Sequence, residues 1–461
     1  MRVEGHLGPS QARSILTYPL DVAPGTCSIT LRLRYWPDQV ARIRNLVTLS
    51  LYDAQGFRGA GHRHAPTQTV AVGRREATPG FIPGPINPGR WTVALDLHAV
   101  LPSLRGGVDF VLEVESSLAS AQEAAMDEES PEEEPIEKGA PNEPELVAGA
   151  HAGAAPSGWL KGDLHVHSNH SDGRWSIDDL VQHVRLHRLD FLALTDHNTI
   201  SGRTALRRAL ADAALSPLLI DGMELTTFWG HANALGVSEW IDWRVRGPAG
   251  QGGDGMTTVQ SAAGQVHGLG GLFVVNHPRS AGYPWCTGCR WEYGDETLEY
   301  ADAIEVLNGA WPRKQNKDAL ALWDRWLNEG YRIPATAGTD SHGFAKQPDL
   351  LGFTYVRSGR SAGSILDAVK RGNGYLSRGP SIEWLPDRPD GEAAVRIGGV
   401  NAQLDVVLVA DGKVVSRTRA NEDGDVRFAH AGAYRWLRAE LYTGATKGPL
   451  ALTNPCFSGP T

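Results

Sequence analysis

From residue 158 onward the chain alternates short apolar runs with amphipathic ones, and few folds satisfy that rhythm. Strand-like segments at 160–166, 191–194, 218–220, 272–275, 303–307 and 333–337 are separated by helix-like segments at 177–187, 203–214, 257–267, 314–327 and 362–371. Ser176 with Asp179 supplies a capping box for the first of these helices. Strand–helix alternation over some 220 residues signals an α/β barrel or a doubly wound sheet, in which the carboxyl ends of the strands gather on one face.

Ionisable residues fall repeatedly at those ends. His165-x-His167 closes the first apolar run, and alternation along a strand would turn both imidazoles to one side. Asp172 follows in a loop rich in Ser, Asn and Gly. Asp196-His197 follows the run at 191–194, Glu224 follows the next, and His231 opens a further apolar stretch seven residues on. Asn276-His277 and Asp340-Ser-His342 complete the series, so six of the sixteen histidines occupy such positions. One histidine beside a strand is ordinarily a satisfied polar residue. Nine ligand-capable residues at successive strand ends are different, because buried polar groups without partners are costly. Other motifs read more plainly. His183 and His187 lack the glutamate of a zinc-protease helix and read as helix-surface or packing residues. Cys286-x-x-Cys289 stands alone and reads as two free thiols rather than a zinc knuckle. Gly268-Leu-Gly270-Gly271 precedes a strand and reads as a turn.

The flanks follow another period. Residues 1–115 alternate apolar and polar side chains, as in Ser28-Ile-Thr-Leu-Arg-Leu-Arg-Tyr, with Gly, Pro and Asn between runs. That pattern predicts an antiparallel β-sandwich. No cluster of catalytic residue types appears there, so this part is expected to be dispensable for chemistry. Residues 116–157 are rich in Glu, Ala and Pro and predict an acidic flexible linker. Ten acids and one lysine between Glu123 and Glu145 account for the formal net charge of −9, leaving the remainder neutral. A neutral body with no stripe of Lys or Arg argues against long nucleic acid as a partner. Residues 381–461 return to alternation, with Asp411-Gly412 as a hairpin turn, and predict a second small β domain. With no apolar leader and no run of membrane-spanning length, the expectation is a cytoplasmic protein without membrane contact.

Residues 160–380 resemble the PHP (polymerase and histidinol phosphatase) superfamily of metal-dependent hydrolases, and within it the carbaryl-hydrolase-like branch, where a β module precedes the PHP domain. The motifs are Gly-Asp-Leu-His-x-His-Ser, Ser-Asp-Gly, Leu-Thr-Asp-His-Asn, Gly-x-Glu, Gly-His-x-Asn, Asn-His-Pro and Gly-Thr-Asp-Ser-His. The resemblance implies a distorted seven-stranded (β/α) barrel at 158–380, flanked by the two β-sandwich-like domains. It also implies two to three divalent metal ions, with Mn, Fe or Zn suited to the ligand types. Carried over by position, His165, His167, Glu224 and Asp340 hold one ion; Glu224 bridges to a second with His231 and His277; Asp172, His197 and His342 hold a third. Asp172 stands where some phosphatase members carry His.

The expected activity is that of a metal-dependent phosphoesterase, hydrolysing a small phosphomonoester or phosphodiester through a metal-activated hydroxide. The alternative is a carboxyl or carbamate ester hydrolase using the same site. Asp196 is expected to act catalytically, orienting a ligand histidine or taking a proton, and Arg279 to neutralise an anionic substrate oxygen. Tyr283 and Trp285 either line the same pocket or pack.

Overall fold

Two four-stranded antiparallel sheets form from the first 118 residues. In order, one comprises Arg2–Leu7, Val108–Leu118, Thr26–Trp36 and Thr67–Gly73; the other Ser14–Val22, Gly89–Ala99, Leu46–Asp53 and Gly56–Gly61. Alternation explains their packing. In Thr26–Trp36 the side chains of Ile29, Leu31, Leu33 and Tyr35 are buried while Arg32 and Arg34 face out. The buried set meets Leu49, Leu51, Val93 and Leu95 of the opposite sheet in one apolar core. The structure, a computed structural model, describes residues 1–118, 158–253, 255–346, 350–385, 393–428, 433–444 and 448–458. The expected linker therefore lies outside the described residues from 119 to 157. Its first three positions belong to the strand that ends at Leu118.

Seven strands follow in both chain and spatial order: Leu160–Val166, Phe191–Leu194, Leu218–Thr226, His231–Leu235, Leu272–Val275, Ala303–Asn308 and Ala335–Gly338. All neighbouring pairs are parallel except those made by the fourth strand, which runs antiparallel to both neighbours. The two ends of the run meet. Asp340 N donates to His165 O (2.7 Å) and His167 N to Ser341 O (3.1 Å), a parallel contact between the first strand and the turn beyond the seventh. The first helix, Ile177–His187, begins at Ser176, whose hydroxyl caps Asp179 N while the Asp179 carboxylate accepts from Ser176 N.

The sequence reading ended the third strand at 220 and missed the fourth. Asp221 and Glu224 break the apolar pattern there, yet the backbone continues to Thr226 and turns back at His231. Thr227 Oγ1 fixes that turn, accepting from Trp229 N (3.2 Å) and Gly230 N (3.1 Å). Because the fourth strand is reversed, its first residue lies at the same end as the last residues of its neighbours. That reversal places His231 beside Glu224.

The strand order continues past the seven without a break, through Phe353–Val356 and Gly374–Ser377 to Ala451–Thr453, Trp436–Tyr442, Leu404–Ala410 and Lys413–Ala420. A boundary at 381 thus cuts a continuous sheet, because backbone pairing between 374–377 and 451–453 crosses it. Asn454 binds both backbone groups of Ala335, accepting from its N (2.7 Å) and donating to its O (3.2 Å). Buried Arg438 is paired with Asp324 and Glu440, joining the helix Lys314–Asn328 to the same sheet. Asp411 and Gly412 take positive φ in the expected hairpin turn. Among the described residues no helix is long and apolar enough to cross a membrane.

Gly338 closes the seventh strand where the ends of the run meet. A Cβ there would collide with the Cβ of His165 and lie 2.6 Å from Glu305 Oε1. Gly338→Ala is expected to cost about 1–3 kcal/mol of stability, read as a lower urea midpoint with unchanged slope.

Candidate metal centre

A single carboxylate organises the carboxyl ends of the seven strands. Glu224 is completely buried on the third strand. Its Oε1 lies 3.3 Å from His165 Nε2, 3.4 Å from His231 Nδ1 and 3.3 Å from His277 Nε2; its Oε2 lies 2.7 Å from His197 Nδ1 and 3.6 Å from His167 Nε2. Asn276 Nδ2 donates to Oε1 (2.7 Å). Asp340 Oδ1 stands 3.1 Å from His167 Nε2 and 3.5 Å from His165 Nε2. Asp172 Oδ1 reaches His197 Nε2 (3.3 Å) and His342 Nε2 (3.1 Å). All nine sequence-predicted ligand residues are thus brought together.

Their outer contacts fix which ring nitrogen faces inward. A carbonyl only accepts, so His231 Nε2 donates to Thr287 O (3.2 Å), His277 Nδ1 to Cys289 O (3.0 Å) and His342 Nδ1 to Asp340 O (3.0 Å). His165 Nδ1 faces the Glu305 carboxylate at 3.1 Å. In each ring the other nitrogen is aimed at Glu224 or Asp172, and it is the one that would give up its proton to a cation. That is the arrangement by which outer partners orient metal-ligating histidines. Glu224 Oε2, His231 Nδ1 and Asp172 Oδ1 are buried without a hydrogen-bond partner of good geometry, as atoms awaiting a cation would be. Donor groups of three or four, with ligand atoms within 4.8 Å of one another, form at His165/His167/Asp340, His165/His277/Glu305, His197/Glu224/His231 and His167/Asp172/His197/His342. The backbone is strained at two of these residues, with φ of 27° at His277 and 47° at Asp340.

Electrostatics match the geometry. Burial opposes ionisation of Glu224, but His165, His197 and His231 outweigh it and hold the carboxyl well below the usual range. Asp340 and Asp172 are held down in the same way by the imidazoles around them. Burial works against charge on His342 too, yet its contact with Asp172 lifts it to about 9. His165, His197 and His277 are also raised by neighbouring carboxylates against their burial, whereas burial beside His197 and His342 pushes His167 down to about 4.

Asp196 and Arg279 have partners outside the ring of imidazoles. Among the described residues Asp196 makes no hydrogen bond to a ligand histidine; it accepts from Ser168 N (2.7 Å), Ser168 Oγ (2.6 Å) and Ser171 Oγ (2.7 Å), so it anchors the loop that carries Asp172. Arg279 is exposed, and its charge acts on Asp295; among the described residues it makes no ion pair with the cluster. Cys286 and Cys289 are joined in a disulfide rather than free, and the carbonyls of Thr287 and Cys289 are those that hold His231 and His277. Trp285 is exposed, while Tyr283 lies under Arg13 (4.7 Å).

Sequence reasoning missed Glu305 and Asp163. Glu305 is buried and receives His277 N (3.1 Å) and Asn308 Nδ2 (3.0 Å) besides facing His165. Asp163 accepts from Thr339 N and Oγ1 and faces Nε2 of His183, which is buried rather than on a helix surface. A lone acid inside a short apolar strand was the available signal in both cases.

The N-terminal sheets are not remote either. Thr287 Oγ1 donates to His98 O (2.8 Å), Thr199 Oγ1 to Gly80 O (2.8 Å), and Arg13 pairs with Glu292 (2.6 Å). Phe57 stacks on Trp240 at 4.2 Å. These contacts seat residues 1–115 against the loops of the cluster, so the N-terminal sheets do not stand apart from the rest of the fold.

Residues 163–246 match the PHP domain family. The PHP match contains six of the nine residues, and His277, Asp340 and His342 lie beyond it. Over 70 residues the chain is 44% identical to an error-prone DNA polymerase of Symbiobacterium thermophilum, covering 15% of this chain and 6% of that protein. Over 67 residues it is 37% identical to the 5'-3' exoribonuclease Rnm of Salmonella typhimurium, covering 14% and 23%. The chain thus spans under a quarter of the length of these two relatives. A solved two-domain protein of Bacteroides vulgatus, described as containing a PHP-like metal-dependent phosphoesterase, overlays 65% of this chain and 96% of its own. Its identity is 18% and its TM-score 0.40.

The raised imidazoles make one expectation quantitative. Without metal, His165, His197 and His342 carry protons at neutral pH that an incoming cation must displace. Metal affinity is therefore expected to rise with pH up to about 9, the value for His342. Calorimetric titration at neutral pH in buffers of different ionisation enthalpy should show net proton release; a zero slope would contradict it.

Proposed function

We propose that this protein is a metal-dependent phosphoesterase acting on a small phosphomonoester or phosphodiester. The observation that carries the metal half of this reading is the ring of inward-facing imidazoles around Glu224, three of which (His165, His231 and His277) are held by an outer acceptor. His165, His167, Glu224 and Asp340 are assigned to one ion, Glu224 with His231 and His277 to a second, and Asp172, His197 and His342 to a third. Divalent cations there would lower the pKa of water and neutralise charge on an attacked phosphoryl group. The residues themselves supply positioning. Glu305 and the carbonyls of Thr287 and Cys289 hold the rings, Asn276 holds Glu224, and Asp196 holds the Asp172 loop. We also read the seven strands as a closed, distorted barrel, supported by the two hydrogen bonds joining its ends. Arg279, on the exposed loop beyond His277, is proposed to meet the anionic end of the substrate.

The phosphoester half is supported by the resemblance of residues 160–380 and by the exoribonuclease relative, whose named reaction cleaves phosphodiesters. A panel of p-nitrophenyl phosphate, bis-p-nitrophenyl phosphate, a 5'-phosphorylated oligoribonucleotide and naphthyl esters, each with Mn²⁺, tests it. Turnover of one of the first two is expected. Cleavage of naphthyl esters alone would favour the carboxyl ester alternative, and of the oligonucleotide alone a nuclease.

Glu224→Gln should lower kcat/KM by about 10³-fold, roughly 4 kcal/mol of transition-state stabilisation, because it withdraws charge from two proposed ions at once. Near-normal rate and metal content in that variant would refute the bridging assignment.

A further inference from the structure

The edge strand Gly56–Gly61 of the N-terminal sheets runs directly into His62-Arg63-His64, and this segment lies against the Asp172 loop. His64 Nε2 is 3.2 Å from Asp172 Oδ2. The two oxygens of Asp172 therefore face different partners: Oδ1 looks to His197 and His342, Oδ2 to His64. The ring of His62 is 4.7 Å from that of His197. His62 is only 6% exposed, and its Nδ1 is buried with no hydrogen-bond partner. Neighbouring His98 likewise has a buried Nδ1 without a partner, although Thr48 Oγ1 lies 3.2 Å from its Nε2. An unpartnered buried polar atom costs about 1–3 kcal/mol, so a lone imidazole nitrogen at this seam needs a reason.

The segment is held in place. Gly80 N donates to Ser201 Oγ (3.1 Å), Thr199 Oγ1 donates to Gly80 O (2.8 Å), and Arg63 Nη2 donates to Asn169 O (3.3 Å). The Arg63 bond joins the His62 segment to the turn that presents Asp172, and the Gly80 bonds tie the adjoining loop to residues 199–201. His62, His64 and Asp172 offer ligand atoms within 4.8 Å of one another.

We propose that His62, His64 and Asp172 form a further cation site across the seam between the N-terminal sheets and the PHP segment, with Asp172 bridging it to the His197/His342 position. The proposal rests on the metal reading of the central cluster. Two imidazoles and one carboxylate suit Zn²⁺ or Co²⁺ rather than Mg²⁺ or Ca²⁺. Three protein ligands leave a coordination position open, and the side chain of His64 is 41% exposed, so the open position faces solvent. Residues outside the PHP match would then take part directly in the metal centre.

The test uses the full chain, stripped of metal, reloaded with Zn²⁺ or Co²⁺, desalted and analysed for metal per chain. His64→Gln and His62→Gln are compared with wild type and with His6→Gln, an exposed histidine of the same sheets that pairs with Asp109 away from the seam. Both seam variants are expected to hold about one Zn²⁺ fewer per chain, and their Co²⁺ forms to lose part of the visible absorption, as ligand loss from an N/O site requires. His6→Gln should match wild type. His64 is exposed enough for replacement to leave folding intact, checked by circular dichroism, so His64→Gln decides the matter even if His62→Gln fails to fold. Wild-type metal content and spectrum in His64→Gln would overturn the proposal and reduce His64 to a positioning contact for Asp172. Wild-type protein retaining no metal would instead overturn the reading of the whole cluster.

Discussion

Glu224 sets the terms for everything around it. A fully buried carboxylate costs several kcal/mol unless its charge is answered within hydrogen-bonding reach. Here the answer comes from five imidazoles on four separate segments, His165 and His167 arriving together at the end of the first strand. Those imidazoles are themselves buried, so their outer nitrogens need acceptors, and Glu305, Thr287 and Cys289 supply them for His165, His231 and His277. The requirement propagates outward one layer at a time. Unusual backbone angles at His277 and Asp340 are tolerated because the same bonds over-determine them.

What the sequence made legible follows from the same physics. Strand ends rich in His and Asp could be read because ionisable residues are out of place beside apolar runs. Strands at Phe191–Leu194 and Leu272–Val275 stand at their expected bounds because each is short, wholly apolar and buried, and Leu160–Val166 does so although Lys161, Asp163 and His165 interrupt it. The strand His231–Leu235 was hidden, since His-Ala-Asn-Ala-Leu is short and has no β-branched or aromatic β-former beyond His231. Burial there comes from its two neighbours, a tertiary effect that overrides local propensity. Glu305 was hidden for the opposite reason: its strand was found, but a lone acid within it says nothing about which histidine it serves.

The seating of the N-terminal sheets was not legible at all. Alternation reveals which face of a strand is inward within its own sheet, and is silent about the loops at the sheet's end. The seam is made largely from loop residues, Arg63, Gly80, Ser201 and Thr287, with the carbonyl of His98 near the end of its strand. An acidic, apolar-poor stretch between two folded regions suggested independence. A tether of that composition limits neither the contact its ends can make nor the polarity of the surfaces that meet. Gly80, with φ of 96°, leaves no room for a side chain between Ala60 O and His170 O, a closeness that only a glycine permits.

Placing potential ligands on both sides of a seam couples two properties that are ordinarily separate. Any cation that binds the assembled surface but not its separated halves adds RT ln(1 + [L]/Kd) to the free energy holding them together, about 2.7 kcal/mol at a hundredfold excess over Kd. Docking of the N-terminal sheets and occupancy at Asp172 would then rise and fall together, although the central group around Glu224 lies wholly within the seven-stranded run. Within one protein the deeper ligands would answer to strand geometry alone, and the outer ones to whether the sheets are seated. The outer position is the one nearest the solvent-facing side chain of His64, so residues from both parts of the chain meet at Asp172.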